Sequence, residues 1–419
     1  MRSAVRTAVL LAAALLASAP AASAQRDNAT LRRPRADTLV PDTLPLRRAG
    51  VRVCAGGDVT LGTNLDTGWV WTASARAGYR VAAYPDPDSL LRPLRPLFAD
   101  ADVVLLNVEG AIGTGPAARK CAEGSTHCFA FRQPVATAAA LRRVAPESAA
   151  VIGSVANNHA RDAGPAGVGV TVRHLRAAGV RPTGADTLAT EVVTAAGDTV
   201  AFLGFSQWAG PDPRDLAAVR RHVARAARRW PRVVVMMHMG AEGGGAQHTY
   251  DATEHFLGEN RGNVVAFAHA AVESGAGLVI GAGPHVMRAA EQYRGGLIFY
   301  SLGNLLTYGP FSLREPLNRG AVACASLDSA GRPTDAVLRS TRQRPPGIAA
   351  PDPGARAAAA VDALSRADFP RTGVPVADDG TLLLAPADTL YAARRPARRR
   401  PSIRAPGPAG SPAVSRQRP

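Results

Sequence analysis

Six short apolar runs in this 419-residue chain end in residues that can hold a metal ion or move a proton. Val51–Ala55 is followed by Gly56-Gly57-Asp58, and Asp102–Leu106 by Asn107 and Glu109. Val151–Val155 leads into Asn157-Asn158-His159, Val233–Met237 into His238, Gly277–Ile280 toward His285, and Leu297–Tyr300 into Ser301 and Asn304. Carboxylate, carboxamide and imidazole groups in one cleft are the ligand set of a divalent metal of the Mn, Fe or Zn kind, as one ion or two. Such an ion supplies a water-derived nucleophile at neutral pH. His159 is then the group that protonates a leaving oxygen. Asp162 either orients that imidazole or caps the helix that follows. Arg161 reads as a charge that neutralises an anionic substrate or as an exposed loop residue. Each of these residues has a plainer reading alone, since Gly-Asp and Asn-Asn are ordinary turn formers. Six in succession point to one site.

The runs have the length and the Val/Ile/Leu content of buried strands, and Ala321–Leu327 and Val200–Phe205 extend the set. Helical patterns fall between them. Asp212-Pro213 reads as an N-cap with proline in the first turn, and Leu216, Val219, Val223 and Ala226 mark one apolar face. Pro165–Ala178, closed by Gly179, is a second helix. This alternation argues an α/β fold, in which loops at strand carboxyl ends gather at one edge and bind ligands. The folded domain is expected over residues 51–340.

The ends read differently. Residues 1–24 have the basic start, short apolar stretch and Ala22-Ser23-Ala24 site of a secretory signal peptide. Residues 25–50 form a Pro/Arg-rich linker. Residues 341–419 are expected to be a disordered Pro/Ala/Arg-rich tail. The protein is therefore expected to be exported, to a periplasmic or extracellular location. A 46% hydrophobic content excludes a wholly disordered chain, and four cysteines exclude a disulfide-stapled miniature fold. The net charge of +16 is concentrated at the end, where Tyr391–Pro419 carries eight Arg and no acid. That tail suits an anionic polymer or a membrane surface and implies no specific nucleic acid partner.

Cys121 and Cys128 are expected to form a disulfide, with zinc binding alongside His127 as the rival. Cys54 and Cys324 lie in predicted strands as small apolar residues; a bridge between them is open only if those strands are neighbours, which the sequence does not settle. Gly240–Gly245 lacks the Gly-Lys-Ser/Thr of a phosphate loop and reads as a loop beside His238. His248, His255 and His269 read as structural or surface residues. Trp69, Trp71 and Tyr79 read as a loop that covers the cleft or forms a satellite cluster.

Six ordered stretches carry a resemblance. They are GGDVTLG (Gly56–Gly62), DADVVLLNVEGAI (Asp100–Ile112), VANNHARDAGPAGVGVTVRHLRAAGV (Val155–Val180), MMHMGAEG (Met236–Gly243), GAGLVIGAGPHV (Gly275–Val286) and AEQYRGGLIFYSLGN (Ala290–Asn304). From about Val51 to Leu327 the chain resembles the CapA-like capsule (poly-γ-glutamate) synthesis protein family, which has a metallophosphoesterase-like fold. The resemblance implies a two-sheet sandwich flanked by helices. It also implies Asp58, Glu109, Asn158, His238 and His285 as metal ligands and His159 as a general acid or phosphate-orienting group. Two histidines of the pattern are missing: Thr60 stands where phosphoesterases place one, and Ala282 and Gly283 where the family places another. Three functions follow. One is a role in the synthesis or export of a capsule or poly-γ-glutamate-type polymer, with that polymer or its synthesis machinery as partner. The others are a metal-dependent phosphoesterase acting on an anionic small substrate, and a polymer-binding scaffold with a vestigial site.

Overall fold

The computed structural model describes residues 50–61, 68–82, 85–113, 129–309 and 311–386. The signal-like segment, the linker, the Cys121/Cys128/His127 group and the basic end of the tail lie outside these residues.

Two sheets form the centre. In the first, Val51–Thr60 runs parallel to Val103–Val108, which is followed by Ala150–Ser154 and Val180–Thr183. On its other side Arg319–Leu327, Pro333–Arg344 and Ile348–Pro351 add antiparallel, while Asn304–Thr307 pairs with the last residues of Val51–Thr60. The second sheet has the order Ala290–Tyr293, Gly296–Phe299, Leu278–Ala282, Val233–His238, Thr199–Phe205, Thr190–Val193.

Side-chain alternation along the strands explains the layering. Val53, Val103, Leu105 and Ile152 of the first sheet share one core with Phe202, Met236, Ile280 and Phe299 of the second. The alternate positions Cys54, Val104, Leu106 and Val151 face outward onto Leu91, Leu94, Leu141 and Leu175. The second sheet turns Leu203, Val235 and Val279 onto Val219, Val223 and Phe267 of the helices Leu216–Ala227 and Val264–Glu273. The architecture is the expected α/β two-sheet sandwich flanked by helices. No helix among the described residues is long and apolar enough to cross a membrane.

Three expectations are corrected. Order does not stop at 340: residues 341–386 include the end of Pro333–Arg344, the strand Ile348–Pro351 and the helix Arg356–Asp368. Ala357, Ala358 and Val361, with Val374, Val376 and Leu382, enter the inter-sheet core, so small alanines do the packing that an Ala/Pro/Arg-rich composition concealed. The cap of Leu216–Ala227 is Asp215, which accepts from Ala218 N at 2.9 Å, because Asp212 is taken by Arg214. Finally, Trp69 and Trp71 lie in a helix, Gly68–Ala77, and Trp71 is exposed.

Cys54 and Cys324 face each other directly across the antiparallel pair of Val51–Thr60 and Arg319–Leu327, and they are joined by a disulfide.

Candidate metal centre

The parallel strands of both sheets deliver their carboxyl ends to one edge. Asp58 lies near the end of Val51–Thr60, Glu109 immediately follows Val103–Val108, and His238 closes Val233–His238. His285 sits in the turn after Leu278–Ala282, and Asn304 begins its own strand. Asp58, Glu109 and His238 are buried, and His285 is half-buried. One donor atom each from Asp58, Glu109 and His285 lie within 4.8 Å of one another.

Asp58 is fully engaged inside the protein. Its Oδ1 accepts from Asn107 Nδ2 at 2.7 Å, and Gly283 N reaches both oxygens at 3.2 Å. His285 Nδ1 stands 3.0 Å from Oδ2. These contacts occupy most of the lone-pair sites of a carboxylate. Burial pushes the Asp58 pKa up, but the charges of His285 and His238 and the hydrogen bonds hold it below its ordinary value. Glu109 is the opposite case. It is fully buried, and neither carboxylate oxygen has a hydrogen bond. Burial, reinforced by the charge of Asp58, holds its pKa well above the glutamate range. The two neighbouring carboxyls are thus shifted in opposite directions.

His285 has φ 61°, a region that non-glycine residues seldom occupy. Asn304 holds it there: its Nδ2 donates to the His285 carbonyl at 3.2 Å, and its Oδ1 lies 3.0 Å from Nδ1. The ring's Nε2 is left 3.8 Å from Glu109 Oε1. Burial alone would lower the His285 pKa, but Glu109 and Asp58 raise it well above the usual value. For His238, burial dominates and the pKa falls to about 3. Its Nδ1 takes a hydrogen from the Asn107 amide at 3.1 Å, which leaves the proton of the neutral ring on Nε2, 3.9 Å from Glu109 Oε1. That distance is too long for a hydrogen bond, and His238 Nε2 has no hydrogen-bond partner among the described residues.

His159 enters from the turn after Ala150–Ser154. Its Nδ1 is 2.6 Å from Asp162 Oδ2, which also accepts from Phe131 N at 2.7 Å, and the Phe131 ring lies 4.0 Å away, centre to centre. Of the two sequence readings of Asp162, the orienting one matches these contacts. Asn158 is half-buried beside it, while Asn157 anchors the turn by donating to Val108 O and Asn107 Oδ1. Arg161 is exposed. A cavity of about 180 Å³ opens onto Glu109, His159, Glu242 and His285 under Phe129 and Phe311. A larger cavity of about 660 Å³, along residues 176–190, touches none of these groups.

The donor set fits a divalent cation, on one observation above all: the buried Glu109 carboxylate accepts no hydrogen bond and faces the same cavity as His285. The absent histidine also has a local cause. Gly283 has φ +104°, and a Cβ there would stand 3.1 Å from His238 Nε2. Sequence reasoning passed over Asn107 as an organiser, Asn304 as the clamp on His285, and Glu242. Asn107 lies near the end of Val103–Val108 and Asn304 opens Asn304–Thr307, at strand ends as the ligand candidates do; Glu242 lies in a glycine-rich stretch that reads as a bare loop. His248 and His269 pair with Asp368 and Glu291, away from the cleft.

The model of the family described as bacterial capsule synthesis protein PGA_cap matches residues 52–308. The PGA biosynthesis protein CapA of Bacillus subtilis (strain 168) is 25% identical over 244 residues, covering 54% of this chain and 59% of that protein. The match thus spans less than two thirds of the relative. Among solved structures, the 5'-nucleotidase precursor of Thermus thermophilus is 13% identical, with 76% of this chain and 58% of its own covered and a TM-score of 0.35. The TT1561 protein of the same organism is 13% identical over 70% of this chain and 99% of its own, also at a TM-score of 0.35.

Proposed function

We propose, from the premise that this chain belongs to the bacterial capsule synthesis protein family PGA_cap, that it is an exported metal-dependent hydrolase. On this reading it acts on an acyl or phosphoryl bond during synthesis or export of a poly-γ-glutamate-type polymer. The observation that carries the reading is the buried carboxylate of Glu109, which accepts no hydrogen bond, beside His285 and Asp58.

Glu109 and His285 would hold the cation, with Asp58 against the far nitrogen of the His285 ring. When bound, such an ion polarises the oxygen of the bond to be cut and makes water nucleophilic at neutral pH. The chain's own residues supply the rest. Asp162 fixes the His159 ring and stabilises the imidazolium form that can protonate a leaving oxygen. Phe129, Phe131 and Phe311 line the cavity with apolar surface, which strengthens the charge interactions inside it. Asn304 keeps the open nitrogen of His285 aimed at Glu109. Export is supported by the signal-like residues 1–24 and by the buried Cys54–Cys324 bridge, a bond favoured in oxidising compartments. The partners are the polymer or its synthesis machinery, with the basic tail resting on the membrane surface.

The test is hydrolysis of phosphoester and γ-glutamyl substrates by protein reconstituted with Mn²⁺. Turnover that disappears in Glu109→Gln supports the hydrolase. Its absence, together with retained binding of poly-γ-glutamate, selects the polymer-binding scaffold, which the small residues Ala282 and Gly283 favour.

A further inference from the structure

We propose that Glu242 is a further protein donor to the cation of this cleft, and that the turn carrying it is built to hold one of its oxygens there. The inference rests on the metal-site reading above.

Glu242 Oε1 is ion-paired with Arg261 Nη1, so the direction of the other oxygen is fixed. That oxygen, Oε2, stands 3.8 Å from His285 Nε2, which in turn stands 3.8 Å from Glu109 Oε1. Glu109 is fully buried, and neither of its oxygens has a hydrogen-bond partner. Two carboxylates therefore flank one imidazole nitrogen at equal distance. Donors of a four-coordinate ion with bonds of about 2.1 Å lie about 3.4 Å apart. Each carboxylate oxygen needs to approach His285 Nε2 by only a few tenths of an ångström, but Glu242 is not among the donors that already lie within 4.8 Å of one another, so its carboxylate must move further to meet Glu109. A set with more carboxylate than imidazole suits Mn²⁺ well.

The support around Glu242 is stronger than a surface ion pair requires. Arg288, almost fully buried, donates from Nε to Ala246 O at 2.7 Å and from Nη2 to Ala241 O at 3.2 Å, which ties down the turn on both sides of Glu242. The same guanidinium binds Glu254 at 2.7 and 2.8 Å, and Glu254 accepts from Ala241 N at 2.7 Å. Gly243 N donates to Pro284 O at 3.0 Å, joining this turn to the one that carries His285. Arg261 is itself clamped, its guanidinium lying 4.6 Å over the Trp208 ring and 5.1 Å over that of Phe256. A ligand needs such pre-positioning, because each degree of freedom it keeps costs affinity.

A purely structural Glu242 would serve Arg261 alone, and Glu259 provides the control. Its Oε2 pairs with Arg261 Nε at 3.0 Å, yet it does not line the cavity. Mn²⁺ is titrated calorimetrically into chelator-stripped full-length protein. Glu242→Gln should weaken binding by about 10-fold or more, the scale of losses at metal-supporting residues, and Glu259→Gln should leave it within twofold. An unchanged Kd in Glu242→Gln, or an equal loss in Glu259→Gln, overturns the proposal. If Glu242→Gln fails to fold, Glu242→Asp, which keeps the charge and the Arg261 partner, is held to the same 10-fold criterion. Binding that Glu109→Gln abolishes and Glu242→Gln leaves intact removes only the role of Glu242. A wild-type protein that binds no Mn²⁺ overturns both this role and the metal site.

Discussion

Replacing Glu109 with glutamine should have opposite effects with and without metal. In the metal-free protein this carboxyl is buried with neither oxygen paired, and burial together with the charge of Asp58 drives it toward its neutral form. Folding thus takes a hydrated glutamate out of water and leaves its carboxyl without a hydrogen bond. A buried polar group without a partner costs about 1–3 kcal/mol, and a charged one more. Glutamine keeps the shape and discards the charge. Glu109→Gln should therefore raise metal-free stability by about 1–2 kcal/mol, or roughly 2–4 °C at about 2 °C per kcal/mol for a domain of this size. With Mn²⁺ at a hundred times its Kd, the wild type should gain about 2.7 kcal/mol and the variant nothing. Thermal melts at pH 7.5, in chelator and in Mn²⁺, read both effects. A variant that melts lower in chelator, as an ordinary core lesion does, or that still gains from Mn²⁺, refutes the reasoning.

His159→Ala and Asp162→Asn should lower turnover about 10²–10⁴-fold while leaving Mn²⁺ binding intact, because Asp162 is taken up by His159 Nδ1 and Phe131 N. Kinetics and calorimetry on the same preparations separate the two effects. Gly283→Ala places a Cβ 3.1 Å from His238 at a strained φ of +104°, so stability should fall by about 1–3 kcal/mol, read by urea titration. Replacing Cys54 and Cys324 together by alanine opens a link between positions 270 residues apart, and should cost about 2–5 kcal/mol in the same assay. Exported protein should begin at Gln25 by mass spectrometry; an N-terminus that keeps residues 1–24 contradicts cleavage.

Much of the sandwich and of the cleft was legible because buried strands announce themselves. The run of Val103–Leu106 cannot avoid reading as a strand, and a residue such as Glu109 just beyond it must lie at a sheet edge. The C-terminal part was not legible, because Ala357 and Ala358 bury little surface each and resemble the Ala/Pro/Arg tail that follows. Glu242 was hidden for another reason. Its partner Arg261 and its neighbour His285 are distant in sequence, and only the folded turns bring them together. The Cys54–Cys324 pair likewise depends on a strand order that places the first strand beside one arriving 270 residues later. Local pattern reports burial and strand ends, whereas pairing across the sheet is a property of topology.

The most direct test of the metal centre is the metal content of the protein from Gln25 to Pro419, purified without chelator and again after loading with Mn²⁺ or Zn²⁺. One or two equivalents in the wild type, lost in Glu109→Gln and His285→Ala, is the expected result. No stoichiometric metal under either condition would contradict the site and leave the cleft as a polymer-binding surface.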